Sequence, residues 1–144
     1  MRITLSEKQL DQLRTQSIDC YPEEACALLV GCNGNDGEFE THQIVQAANV
    51  ADNKIRFFEV DPAVRFKIER ELRGMPERII AVFHSHPNGQ AEPSQADAEM
   101  VIEREFVWLI AAIDGHDQFD IGAFSPLVAG HGFEVMELQV KQGR

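Results

Sequence analysis

The chain has 144 residues, 44% apolar and 26% charged, with 10 Gly and 6 Pro. That size suits one domain around one core and leaves no room for a second catalytic module, while the composition excludes disordered, collagen-like and solenoid chains. Thirteen Lys and Arg against 24 Asp and Glu give a formal charge of -11, whose field repels phosphate backbones and anionic lipid, so neither nucleic acid nor a membrane is an expected partner.

An odd number of cysteines, Cys20, Cys26 and Cys32, follows a start (Met1 to Lys8) with no apolar signal core. A reducing cytoplasm fits best, with the cysteines structural: their even spacing does not match a Cys-x-x-Cys zinc knuckle. No uncharged apolar stretch approaches the roughly 18 residues of a membrane span.

The first predicted element is a helix from about Glu7 to Ser17. Ser6 and Gln9 can form a capping box, Leu5 and Leu10 a hydrophobic staple, and Leu10 and Leu13 continue the apolar stripe. After Tyr21-Pro22, the run from Ala25 to Val30 is apolar throughout and stops at Gly31, as a strand buried on both faces would. Asn33-Gly34-Asn35-Asp36-Gly37 reads as a turn, followed by strands over Glu38 to Val50 and Lys54 to Val60. A second helix opens on Asp61 as N-cap and Pro62 at its first position, carries Val64, Ile68 and Leu72 on one stripe, and ends at Gly74.

Arg78 to His86 is the next strand, ended by Pro87-Asn88-Gly89 because proline cannot donate to the ladder. Ser94 caps a third helix reaching about Glu105, and three strands complete the chain: Phe106 to Asp114, Gln118 to Phe124 and Phe133 to Val140. Helices interleaved with strands make the fold class mixed α/β, a mixed sheet flanked by helices and spanning 1–144 as a single domain.

The chemistry concentrates in His84-Ser85-His86, then Ser94 and Asp97. Side chains two apart on a strand project from one face, so His84 and His86 can grip one ion. Catalytic zinc takes three protein ligands plus water, and Asp97, in the first turn of the helix capped by Ser94, is the natural third ligand. A His-x-His pair alone is common at solvated strand ends. The whole pattern, His-x-His, seven residues, then Ser-x-x-Asp, would arise in a chain of this size about once in a few thousand. His42, His116 and His131 have no ligand-spaced neighbours and read as surface residues.

The pattern His84-x-His86-x7-Ser94-x-x-Asp97 resembles the JAMM motif of the MPN-plus metalloproteases. Pro22-Glu23-Glu24-Ala25-Cys26-Ala27-Leu28-Leu29 resembles that family's upstream Pro-x-Glu-x-Cys-Gly-Leu-Leu element, with Ala27 where many members have glycine. The resemblance implies an MPN-like, cytidine-deaminase-like domain in which His84, His86 and Asp97 hold Zn²⁺ with a water in the fourth position. It further implies that Glu24 is the catalytic acid/base and that Ser94 hydrogen-bonds the developing oxyanion; the rival role of Ser94 is simple helix capping, and both can hold. Consecutive strand residues face opposite ways, so Glu23 and Glu24 cannot both point at the ion. Spacing to Cys26 favours Glu24; the alternative is that Glu23 does the work.

A zinc deaminase would carry His-x-Glu and Pro-Cys-x-x-Cys, and a thermolysin-type enzyme His-Glu-x-x-His; the chain has none of these. The resemblance implies hydrolysis of a peptide or isopeptide bond at the C-terminal tail of a ubiquitin-like partner and, by analogy with the family's compact prokaryotic members, action on sulfur-carrier proteins or their conjugates. The alternatives are a non-catalytic MPN-type scaffold and a zinc peptidase acting on small peptides.

Overall fold

A computed structural model describes residues 1–34, 37–100, 106–127 and 132–142. Their elements run β1 (Arg2–Ser6), α1 (Glu7–Cys20), β2 (Cys26–Asn33), β3 (Glu38–Ala47), α2 (Pro62–Glu71), β4 (Arg78–Pro87), α3 (Gln95–Met100), β5 (Val107–Ile113), β6 (Phe119–Pro126) and β7 (Phe133–Lys141). The strands form one mixed sheet in the order β1-β3-β2-β4-β5-β6-β7 that closes on itself, β1 pairing in parallel with both β3 and β7. Closure and β1 go beyond the sequence reading. The five residues of β1 are too few for periodicity to announce, and its edges are satisfied by strands remote in sequence.

The capping box forms as expected: Gln9 N–H donates to Ser6 Oγ at 3.0 Å and Ser6 N–H to Gln9 Oε1 at 2.9 Å. The helix outlasts its expected end by three residues, and the Tyr21 N–H closes it on the Ser17 and Ile18 carbonyls. In α2, Asp61 caps the Ala63 N–H, Pro62 opens the helix and Ile68 is buried; the helix ends at Glu71, with Gly74 in the left-handed region just beyond. The third helix is described only to Met100, so its expected extension to Glu105 lies outside the described residues, as do Asn35 and Asp36 of the first turn.

The all-apolar strand of the sequence is β2, antiparallel to both β3 and β4, while β4 is parallel to β5. Alternation sends Ala27, Leu29, Ala81, Phe83, Leu109 and Ala111 to one core with Leu13 of α1, and Leu28, Val82, Trp108 and Ile110 to a second with Ile68 of α2. Both sheet faces are therefore buried, which is why these strands read as unbroken apolar runs.

One expected strand is absent: among the described residues, Lys54 to Val60 forms turns and a single bridge, Asn49 to Val60. β3 correspondingly stops at Ala47. The side chain of Asn49 takes the place of a ladder here, accepting from the Ala51 and Glu59 N–H groups and donating to the Phe57 carbonyl.

β2 carries a register shift against β3 between Val30 and Gly31, where the strands approach so closely that a Cβ at Gly31 would run into the Glu40 carbonyl. Backbone cannot yield there as a flexible side chain would. Gly31→Ala is expected to cost about 2 to 4 kcal/mol of stability, read as a lower midpoint in thermal unfolding with native-like circular dichroism below it.

Candidate metal centre

β4 runs one residue past its expected end, to Pro87, and sets both histidine rings on one side, as the sequence predicts. Their Nε2 atoms lie 3.0 Å apart. Asp97 meets both, Oδ1 at 3.2 Å from His84 Nε2 and Oδ2 at 3.1 Å from His86 Nε2. The carboxylate is aimed by a reciprocal cap: Ser94 N–H donates to Asp97 Oδ2 at 2.9 Å, and Asp97 N–H donates to Ser94 Oγ at 3.1 Å. Ser94 is thus a cap whose own hydroxyl proton has no acceptor among the described residues. Glu24, two residues before β2, offers a carboxylate oxygen within 4.8 Å of both imidazoles and is itself 5% exposed. Glu23 is exposed.

Glu24 reaches the histidines through a clasp between strands. Ala25 N–H donates to Ser85 Oγ at 2.8 Å and Ser85 N–H donates to the Ala25 carbonyl at 3.0 Å. The main chain of Glu24 is fixed twice more, its N–H donating to the Lys54 carbonyl at 2.7 Å and its carbonyl accepting from Asn49 Nδ2 at 3.0 Å. His84, wholly buried, stacks on Phe58 with centroids 4.1 Å apart and meets the edge of Trp108 at 5.4 Å. His86 Nδ1 bonds the Gln90 carbonyl at 2.9 Å, a partner that keeps the proton on Nδ1 and turns the Nε2 lone pair inward.

Ser85, Asn49, Phe58, Trp108 and Gln90 were not foreseen as site residues. Ser85 could have been: it stands between the histidines, and alternation sends it to the other face. For the rest, the sequence carries no local signal.

Burial opposes charge on every group here. It pushes Glu24 up to about 8, an effect that nearby His86 partly offsets and Asp97 reinforces. It also lowers His84. His86 is lifted despite burial, because its bonds to Asp97 and to the Gln90 carbonyl favour the protonated ring. Burial would raise Asp97 too, but hydrogen bonds from both histidines and the Ser94 N–H hold its carboxyl well below the usual range. Two carboxylates in one pocket are driven apart, one toward a permanent anion and the other toward a proton exchanger.

The donor set fits zinc. Ligands about 2.0 to 2.1 Å from a tetrahedral ion stand roughly 3.3 Å from one another, close to the observed separations of 3.0, 3.1 and 3.2 Å. Among the described residues Glu24 Oε1 and His84 Nδ1 are buried without a partner, and the unsatisfied carboxylate oxygen, beside both imidazoles, marks a site with something further to bind. Glu24 stands farther from the imidazoles than Asp97 does, so His84, His86 and Asp97 are the better ligand set. A cleft of about 610 Å³ opens onto Glu24, His86 and Ser94, with residues 55–57 forming one stretch of its wall and residues 87–96 another.

The remaining candidates lie elsewhere. His42 contacts Glu77 and Glu40 at the surface, His116 is exposed, and His131 lies outside the described residues. The three cysteines are free; burial pushes the Cys26 thiol up to about 12, which leaves it inert.

Over residues 6–124 the sequence matches the family described as prokaryotic homologs of the JAB domain. The chain belongs to that family. The expected JAMM/MPN kinship is thereby borne out. The chain is 29% identical over 97 residues to the CysO-cysteine peptidase of Mycobacterium tuberculosis, covering 67% of this chain and 64% of that one. It is 28% identical over 94 residues to the desampylase of Haloferax volcanii, covering 65% and 66%. The chain therefore matches somewhat less than two thirds of the length of the peptidase. Its fold is shared with the solution structure of a Desulfitobacterium hafniense protein (TM-score 0.83, 24% identity, covering 98% of this chain and 94% of that one). A JAB1/MPN domain protein from Archaeoglobus fulgidus is also similar (TM-score 0.56, 16% identity, covering 98% and 97%).

Asn49 ties Glu24 to the cleft wall, which can be checked directly. Asn49→Ala is expected to destabilise the fold by about 1 to 3 kcal/mol and to speed amide exchange at Ala51 and Glu59, which bond its Oδ1, before exchange in β4 changes.

Proposed function

We propose that the protein is a zinc-dependent hydrolase that cuts a peptide or isopeptide bond at the C-terminal tail of a ubiquitin-like, sulfur-carrier-type protein or its conjugates. The observation that carries this reading is the convergence of His84, His86 and Asp97 to within 3.2 Å of one another, with the buried Glu24 carboxyl beside them. The names of the two relatives, a CysO-cysteine peptidase and a desampylase, support the reaction class. On this reading residues 1–144 work as one domain, with the metal at an MPN-type, cytidine-deaminase-like sheet. The free cysteines suit a reducing cytoplasm, and no helix among the described residues is long and apolar enough to cross a membrane.

His84, His86 and Asp97 are the ligands. Bound there, zinc supplies Lewis acidity for a carbonyl and lowers the pKa of a water toward neutrality. Glu24 takes the proton of the attacking water and returns it to the leaving amine, a task suited to a carboxyl whose pKa burial has moved toward neutrality. The Ser94 hydroxyl accepts from Asp97 N–H, and its own proton donates to the developing oxyanion, worth a few kcal/mol when so preorganised. Phe58 and Trp108 hold His84 in one orientation, so the ligand pays little rotamer entropy when the ion binds.

The purified protein is expected to hold about one zinc per chain by atomic emission. Glu24→Gln is expected to keep the metal and lose about 10² to 10⁴ in kcat, whereas His84→Ala and Asp97→Ala release zinc to a mild chelator. A native protein that never holds metal would instead favour a non-catalytic scaffold. Substrate class is checked by cutting a tail-extended sulfur-carrier protein and its isolated tail peptide in parallel. The intact carrier is expected to be cut faster; equal rates would point to a peptidase for small peptides.

A further inference from the structure

Tyr21 stands three residues before Glu24 and touches the segment that orients His86. Its own main chain is fixed where it closes α1, the N–H donating to the Ser17 and Ile18 carbonyls at 3.1 and 3.3 Å. The ring lies against the turn that follows β5, so closely that a Cβ at Gly115 would come within 2.6 Å of Tyr21 Cε1. From there the Tyr21 hydroxyl donates to Asn88 Oδ1 at 2.9 Å, across 67 positions of sequence. Asn88 belongs to the turn that leaves β4. At φ 59° it is the one non-glycine residue among those described in the left-handed region, which asparagine tolerates better than most side chains. Its N–H donates to the Ile113 carbonyl at 2.6 Å, and Gly89 N–H bends the chain back onto the His86 carbonyl at 3.2 Å. The turn delivers Gln90, whose carbonyl bonds His86 Nδ1 at 2.9 Å. Neither Tyr21 nor Asn88 lines the cleft that opens onto Glu24 and His86, so neither is placed to touch a substrate there.

We propose that Tyr21 is a positioning residue: through Asn88 it holds the turn whose Gln90 carbonyl aims the His86 ring, and so keeps that ring in step with Glu24. This rests on the function proposed above, in which His86 holds zinc and Glu24 moves the proton. A ligating histidine is oriented by the partner of its other ring nitrogen. Here that partner is a main-chain carbonyl in a turn, and its position is only as definite as the bonds that fix the turn. The main-chain bonds of Asn88 and Gly89 tie the turn to β5 and β4. The Tyr21 hydroxyl alone, among the contacts of Asn88, ties it to the segment that carries Glu24. Ligand and acid come from strands that pair, yet each lies at a strand end, where the ladder stops constraining the chain. A side-chain bond beyond the ladder supplies the missing constraint.

The test compares the wild-type protein with Tyr21→Phe, which keeps the ring and removes only the hydroxyl, and with Asn88→Gly, which keeps the left-handed turn and removes only the side chain. Ser6→Ala, which removes the cap at the opposite end of α1, controls for lost stability. The first readout is solvent exchange of the His86 Nδ1 proton, followed by ¹⁵N NMR on the protein as purified. Tyr21→Phe is expected to speed it about 2- to 10-fold. Zinc release to a chelator is expected to quicken by a similar factor. On a tail-extended sulfur-carrier protein, kcat is expected to fall about 2- to 10-fold with KM changed less than about twofold. The two single variants should agree and the double variant should exceed neither, since each loses the same bond. Ser6→Ala should lower the unfolding midpoint and leave the ring proton and zinc release as in the wild type. A ring proton and zinc release unmoved by Tyr21→Phe, equal changes in Ser6→Ala, or effects of Tyr21→Phe and Asn88→Gly that add would each overturn the proposal. Failure to hold zinc or to cut any carrier, while the ring proton still responds to Tyr21→Phe, would count against the proposed reaction and not against Tyr21.

Discussion

The register between the start of β2 and the end of β4 is the constraint on which the site depends. Ser85 exchanges two hydrogen bonds with Ala25, one from its hydroxyl and one from its main chain, and this pairing brings Glu24 beside histidines sixty positions later. A slip of one residue would turn Ser85 outward and drive both imidazoles into the opposite core. The two bonds are worth about 1 kcal/mol each, too little to hold the register alone. What holds it is that Leu28, Leu29, Val82 and Phe83 are buried on alternate faces, each worth about 1.5 to 3 kcal/mol on burial. Packing sets the register, and the register delivers the acid.

Four ionisable groups are then confined in a nearly dry space. Such a cluster costs folding energy, because each charge loses hydration. The fold recovers part of that cost at Asp97, whose oxygens face both imidazoles and accept from Ser94 N–H, and leaves Glu24 Oε1 without a partner among the described residues. The asymmetry is chemically useful. A carboxylate saturated with donors stays charged and suits a ligand, while an unsaturated one exchanges its proton readily. The same type of side chain thus has two natures a few ångströms apart, set by which backbone N–H groups face it.

The legible part of this arrangement was whatever depends on local periodicity. His84 and His86 share a face because strands alternate, Ser94 and Asp97 meet because a helix start pairs its cap with the third residue, and α1 and α2 announce themselves through Ser6, Gln9, Asp61 and Pro62. What escaped depends on contacts between distant residues. Nothing in Arg2–Ser6 says that it pairs with both β3 and β7, so closure of the sheet was invisible. Phe58 and Trp108 look like ordinary core aromatics until the fold sets them against His84.

The stretch from Lys54 to Val60 is the instructive error. Its alternation is imperfect, with Phe57 and Phe58 adjacent, and alternation in any case means two surfaces with different surroundings, not a ladder. Phe58 faces the permanent core beneath His84, while Ile55 and Phe57 face the cleft and stay half open to solvent. Asn49 supplies the hydrogen bonds that a neighbouring strand would otherwise provide, so the chain can hold its turn here without a ladder. Under the proposed function, the surface missing from this pattern belongs to the substrate. A sequence can carry the periodicity of a strand at the very place where the second face is left for another molecule to cover.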